Sequence, residues 1–174
     1  MMNHPLEAPL RSAFNGLRVS YPKKNQLVVQ LPKEGLLSVL TFLQHRGYRH
    51  LQMISCVDWM DEKEFELVYI LSAYLEDGGE YTETAQLNIL VKIRIDRDAA
   101  TALSVLPIFE NAEPYEREIH ELFGIHFEGH PRLTPLFLER SYAIPPFRKD
   151  FDSRRYVEDV FEKIPTIEKS TGNS

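Results

Sequence analysis

The chain has 174 residues, a net charge of −6 and a single cysteine, Cys56. The acidic balance argues against a nucleic-acid partner, because phosphate binding needs a basic surface. One thiol excludes an internal disulfide, and it excludes an iron–sulfur cluster held by this chain alone, which takes four thiolates.

Hydrophobic residues make up 43%, near the globular mean, so one domain with a real core is expected. No apolar run approaches the roughly 20 residues of a membrane span. A soluble, cytoplasmic or matrix-like protein is expected, with any membrane association made through partners.

Residues 1–16 read as a loose leader without a hydrophobic signal core. Residues 19–21 and 27–30 read as short strands about a Pro22-Lys23-Lys24-Asn25 turn. Pro32 opens a helix with Leu36, Leu37, Leu40 and Leu43 as its buried stripe, and Gly47 ends it. A strand follows over 48–59. Within it His50 is treated as a satisfied or exposed residue and Cys56 as a small hydrophobe. Asp58 and Asp61 flank Trp59 and read as a turn.

Residues 65–75 alternate, with Phe65, Leu67, Tyr69, Leu71 and Ala73 on one face. Leu87, Ile89, Val91, Ile93 and Ile95 repeat the pattern, opposite Asn88, Lys92 and Arg94. Strict alternation implies one buried and one polar face, as in antiparallel sheets. Asp77, Gly78 and Gly79 mark the loop between these strands. Residues 97–109 are expected to form a second helix carrying Ala100, Leu103 and Leu106, with Pro107 ending or bending it. The fold class is α+β, a mostly antiparallel sheet with helices on one face. It occupies 1–124, and an extended C-terminal segment and tail occupy 125–174.

The stretch 114–150 differs from the rest. Pro114 fits the first turn of a helix. Tyr115, Ile119, Leu122 and Phe123 then form one apolar stripe, and Gly124 sits where a left-handed cap belongs. Glu116 with His120, and Arg117 with Glu121, are spaced to pair across a turn. Ile125, His126 and Phe127 alternate like a strand, and Glu128 to Pro131 form a turn. Leu133, Leu136, Phe137 and Leu138 with Pro135 suit an extended segment that needs a surface to cover. Ser153 is expected to cap a last short helix edged by Tyr156 or Val157, Val160 and Phe161. Residues 168–174 are expected to be disordered.

Tyr115-Glu116-Arg117-Glu118, Phe123-Gly124-Ile125, Phe127-Glu128-Gly129-His130-Pro131, Leu133 and Arg148-Lys149-Asp150-Phe151 resemble, in this order and spacing, the thirty-kilodalton subunit family of respiratory complex I. That family comprises the C subunit of bacterial NADH:quinone oxidoreductase, with relatives in energy-converting membrane-bound hydrogenases and formate hydrogenlyases. The resemblance covers roughly residues 15–152. Departures from the typical pattern are Glu121 for an aspartate, Pro145-Pro146-Phe147 before the basic motif, Pro114 before Tyr115, and Tyr142 in place of a tryptophan.

The resemblance implies a non-catalytic peripheral-arm subunit with no cofactor of its own. Iron–sulfur clusters and NADH, quinone or a NiFe centre would belong to its partners. Those partners would be a 49 kDa-like, NiFe-hydrogenase-like large subunit and an iron–sulfur small subunit. Glu116, Arg117, Glu118, His130, Pro131, Arg148, Lys149 and Asp150 are the expected partner-binding residues, with 125–147 draped over the large subunit. The residues themselves offer no phosphate loop and no nucleophile motif. A different class of reading, a stand-alone metal-dependent hydrolase, would rest on Glu116, Glu118, His120, His126 and His130.

Overall fold

The computed structural model describes residues 5–73, 87–138 and 142–160. The loop of Asp77, Gly78 and Gly79 and the terminal residues 168–174 lie outside them. The elements run α1 Glu7–Ala13, β1 Arg18–Lys23, β2 Gln26–Gln30, α2 Leu36–His45, β3 His50–Trp59, β4 Glu64–Ser72, β5 Asn88–Asp96, β6 Thr101–Leu103, α3 Glu113–Phe123, β7 His126–Glu128 and α4 Ser153–Val160.

Five strands form one sheet in the order β1-β2-β5-β4-β3. β2 and β5 are parallel, and the other neighbours are antiparallel. The alternation in β4 and β5 translates directly into geometry. Phe65, Leu67, Tyr69, Leu71, Ile89, Val91, Ile93 and Ile95 all enter the core, together with Leu36, Val39, Leu40 and Leu43 of α2. Leu37 is only half-buried, and Val39 takes the place expected for it. On the other face of β4 and β5, the Glu66 carboxylate accepts from Lys92 Nζ at 2.8 Å and Arg94 Nε at 3.0 Å. Arg94 also lies 4.7 Å over the Trp59 ring.

Four expectations need correction, the last of them at the start of α4. The leader contains α1, whose Leu10, with Leu6 just before it, is buried in the core. These two lie i,i+4 and supply an apolar edge that a seven-residue helix can bury. Residues 97–109 form no helix. The Asp96 carboxylate accepts from the N–H groups of Asp98 and Ala99 and turns the chain. Thr101–Leu103 then becomes β6, parallel to β7. Asp58 is not a turn residue. It lies within β3, one residue before the strand's end, opposite Phe65, and is buried.

Strand β7 shares the core of the preceding residues, since Ile125 and Phe127 sit in the same cluster. The cap of α4 is Asp152 rather than Ser153, its carboxylate accepting from the N–H groups of Arg154 and Arg155.

Gly124 ends α3 with φ +76°, a conformation disfavoured by about 1–2 kcal/mol for residues with a Cβ. An added Cβ would also lie 2.9 Å from Pro145 Cγ and 3.2 Å from Arg148 Nη2. Gly124→Ala is therefore expected to cost more than about 1 kcal/mol in urea unfolding. A smaller loss would mean that the C-terminal segment gives way without cost.

Candidate partner-docking segment

Helix α3 organises the site. Pro114 lies in its first turn and Gly124 caps its end. Ile119 and Leu122 bury its apolar stripe, and Tyr115 and Phe123 pack against the core. Tyr115 Oη donates to the Gln52 carbonyl at 2.8 Å, and Asn111 Nδ2 donates to that of Leu51 at 2.7 Å. Both carbonyls belong to the sheet's edge strand, so α3 and the turn before it blunt that edge.

Neither pair expected across a turn of α3, Glu116 with His120 or Arg117 with Glu121, is among the ion pairs and hydrogen bonds of the described residues; the pair that forms is Arg117 with Glu113. Glu116 is fully buried and bridges to the segment after β6. Its carboxylate accepts from Ser104 Oγ and from the Val105 N–H, both at 2.7 Å. Burial raises its pKa and outweighs the two bonds that favour the charged form. Nδ1 of His120 contacts the Ile125 carbonyl at 2.9 Å.

Arg117 and Glu121 hold the segment after β7. Arg117 donates to the carbonyls of Thr134 and Pro135, each at 3.0 Å, and pairs with Glu113 at 3.1 Å. Glu121 accepts from the N–H groups of Leu136, Phe137 and Leu138 at 3.0, 2.9 and 2.6 Å. Burial pushes the Glu121 carboxyl up, but the three amides prevail and hold it below the usual range. The extended segment therefore lies first on its own domain.

A second clasp closes around Arg97, beyond β5. Its guanidinium meets Asp58 at 2.8 and 3.0 Å and Asp150 at 2.6 and 3.2 Å, both bidentate. Asp58 also accepts from the Lys149 N–H at 2.9 Å. Burial works against the Asp58 charge, yet the Arg97 fork and the Lys149 amide lower its pKa overall. The hydrogen bonds from Arg97 lower that of Asp150. Arg148 donates to the Phe123 carbonyl at 2.7 Å and lies 5.2 Å over the Phe65 ring. Phe147 packs edge-on against Phe123 while remaining 59% exposed.

Of the residues expected to bind a partner, Glu116, Arg117, Arg148 and Asp150 thus have partners inside the chain. Glu118 is half-buried, and Pro131 and Lys149 are exposed. His130 Nδ1 accepts from the Arg132 N–H, while its Nε2 is buried with no hydrogen-bond partner among the described residues. The carboxylates and histidines are not gathered. Glu116 faces Ser104, His120 faces Ile125, and His126 is exposed on β7. Among the described residues, no group of three or more His, Cys, Asp or Glu is placed to hold a metal ion.

Sequence reasoning missed Arg97, Asp58 and Ser104 as organising residues. Asp58 carried a signal. After the irregularity between Leu51 and Met53, it falls in phase with Ile54 and Cys56 on the inward face, where a lone carboxylate needs a cation.

These features define a small α+β subunit whose C-terminal segment is fastened along its own α3 and sheet end. Residues 29–157 match the family model for the respiratory-chain NADH dehydrogenase, 30 Kd subunit. The chain belongs to that family. It is 32% identical to the NADH-quinone oxidoreductase C subunit of Phenylobacterium zucineum over 166 residues, 89% of this chain and 73% of that protein. Against the corresponding C subunit of Brucella ovis it is 34% identical over 137 residues, 76% of this chain and 63% of that protein. Among solved structures it resembles a chain of the membrane-bound sulfane sulfur reductase, an archaeal respiratory membrane complex. The TM-score is 0.79 and the identity 25%, over 97% of this chain and 96% of that one. It also resembles the trypsin-resistant fragment of Nqo5, with TM-score 0.61 and 26% identity, over 74% of this chain and 98% of that one. No helix among the described residues is long and apolar enough to cross a membrane.

Proposed function

We propose that this chain is a non-catalytic peripheral-arm subunit of a complex I-like, membrane-associated oxidoreductase of the NADH:quinone type. It scaffolds the large electron-transfer subunit, the 49 kDa-like, NiFe-hydrogenase-like chain, with an iron–sulfur small subunit nearby. The redox centres belong to those partners, and the subunit sits on the cytoplasmic side.

The observation that carries this reading is the fastened C-terminal segment. Residues 134–138 and 147–150 are held to α3, Asp58 and Arg97 through backbone and charged groups, while Phe137, Ile144 and Phe147 remain 66%, 41% and 59% exposed. Apolar side chains held outward on a fixed backbone suit contact with another protein. Glu118, Pro131 and Lys149 are further candidate contacts.

Affinity purification of the tagged chain from native membranes in mild detergent tests it. A large subunit related to NiFe hydrogenases and an iron–sulfur small subunit are expected to co-purify. Recovery of the chain alone would overturn the reading. A second reading, a subunit of an energy-converting [NiFe] hydrogenase or formate hydrogenlyase, rests on the resemblance of the sequence motifs alone. Cysteine ligands for nickel in the recovered large subunit would favour it. The hydrolase reading gains no support, because Glu116 and His120 are engaged with Ser104 and the Ile125 carbonyl and, among the described residues, no three such side chains are gathered to hold a metal ion.

A further inference from the structure

We infer that Phe137 is the central anchor of the docking surface and inserts into an apolar pocket on a neighbouring, different subunit. The inference rests on the scaffold reading and specifies it. Five polar contacts from two side chains one helical turn apart fix the backbone at 134–138. Arg117 binds the carbonyls of Thr134 and Pro135, and Glu121 gathers the amides of Leu136, Phe137 and Leu138. Both side chains stand on α3, which is itself seated in the core through Ile119 and Leu122. The ordering cost of this loop is therefore met on folding and is not incurred again on binding.

The clamp acts only through main-chain groups at Phe137. Its ring, at 66% exposure, is the most exposed of the large apolar side chains described. The fold thus holds the position of this ring without using the ring. A rigid aromatic projecting from a fixed backbone is the form that binding anchors take, because two side-chain torsions are all that remain to be ordered.

The occupant is a different chain rather than a second copy. An isologous contact would require this chain to offer an apolar pocket to its own anchor. A cavity of about 500 Å³ beside β2, β4 and β5 has Leu31, Pro32 and Ile93 in its lining, but Arg18, Glu64, Glu66, Lys92 and Arg94 line it too and set charged groups against any ring that entered it.

The test uses the full chain as wild type, Phe137→Ala and Phe137→Leu. Thermal unfolding of each purified chain is measured, then recovery of the large subunit from native membranes over a dilution series. Phe137→Ala is expected to keep the wild-type midpoint and to bind at least about tenfold more weakly, the loss typical of an aromatic anchor. Phe137→Leu is expected to restore part of that loss. Wild-type recovery by Phe137→Ala, or a lowered unfolding midpoint, would overturn the anchor while leaving the scaffold reading in place. Failure of the wild type itself to recover any subunit would overturn the scaffold reading, and the anchor with it. A concentration-dependent dimer of the wild type that Phe137→Asp abolishes would assign the ring to self-association instead and reject this inference.

Discussion

Replacing Arg97 by alanine is expected to destabilise the chain by about 3–5 kcal/mol, the usual cost of breaking a buried ion pair from one side. The Asp58 side chain is 2% exposed and that of Arg97 9%. Removing the guanidinium strands the Asp58 carboxylate with only the Lys149 amide for a partner. It also releases Asp150, which is 41% exposed and can return to water at little cost. Most of the loss therefore comes from Asp58. Urea unfolding of the variant gives the magnitude, and a loss under about 1 kcal/mol would refute the clasp as a stability element.

Two further readouts belong to the same substitution. Amide exchange should quicken from Arg148 to Tyr156, because Asp150 and the Lys149 amide are the fastenings there. The acid limb of the stability profile should also flatten. The folded pKa values of Asp58 and Asp150 lie below their unfolded values, so the stability they contribute is present above the ordinary carboxylate range near pH 4. It is lost as pH falls through the folded values. Without Arg97 that dependence should shrink.

Glu116 titrates in the opposite sense. Its carboxyl is fully buried, with two neutral donors and, among the described residues, no cation paired with it, and burial raises its folded pKa. The folded state therefore holds the Glu116 proton more tightly than the unfolded state does. Its contribution is greatest below the unfolded value near 4.5 and is lost as pH rises through the raised folded value. Glu116→Gln should abolish this loss on the rising side and leave the neutral-pH stability at or above wild type. Glu116→Ala should instead orphan Ser104 Oγ and the Val105 N–H, at about 1–3 kcal/mol for each buried donor, and add a cavity. Guanidinium unfolding of both variants from pH 4 to 8 separates the two effects. An alanine variant as stable as the glutamine one would remove the tether from the account.

The parts of this fold that are legible in the sequence are those governed by period. The alternation in β4 and β5 and the stripe and glycine stop of α3 are local patterns, and each becomes an element at the expected place. The helix expected over 97–109 fails for a non-local reason. Ala100, Leu103 and Leu106 carry a helical spacing, but the segment is claimed by the β7 ladder and by the Glu116 carboxylate, both later in the chain. Helix α1 is illegible because Pro9 and the missing side-chain cap hide seven residues whose stability comes from burying Leu6 and Leu10.

The same division holds for the docking segment. Glu116, Arg117, Arg148 and Asp150 stand out as charged residues at fixed spacing. Their spacing cannot show that their partners lie at Ser104, Thr134, Phe123 and Arg97. The extended character of 132–138 is legible from its prolines. The carboxylate that gathers its amides, Glu121, reads in the sequence only as half of a helical ion pair.

The strand order also governs how this protein can be made. Gln26 to Gln30 must align in parallel with Asn88 to Lys92, and the same strand must pair with β4 on its other side. During synthesis the first hairpin therefore leaves the ribosome with no neighbour to join. Its hydrophobic flank, Leu27 and Val29, waits exposed until the central strand has been translated. Closure of so distant a pairing is slow compared with a local helix. The Asp58 carboxylate waits as well, because its counterion Arg97 follows β5 and its last donor, the Lys149 amide, is made later still. The interval in which this subunit is vulnerable to aggregation is thus set by the sheet's wiring, and it ends only when the last fastened segment has emerged.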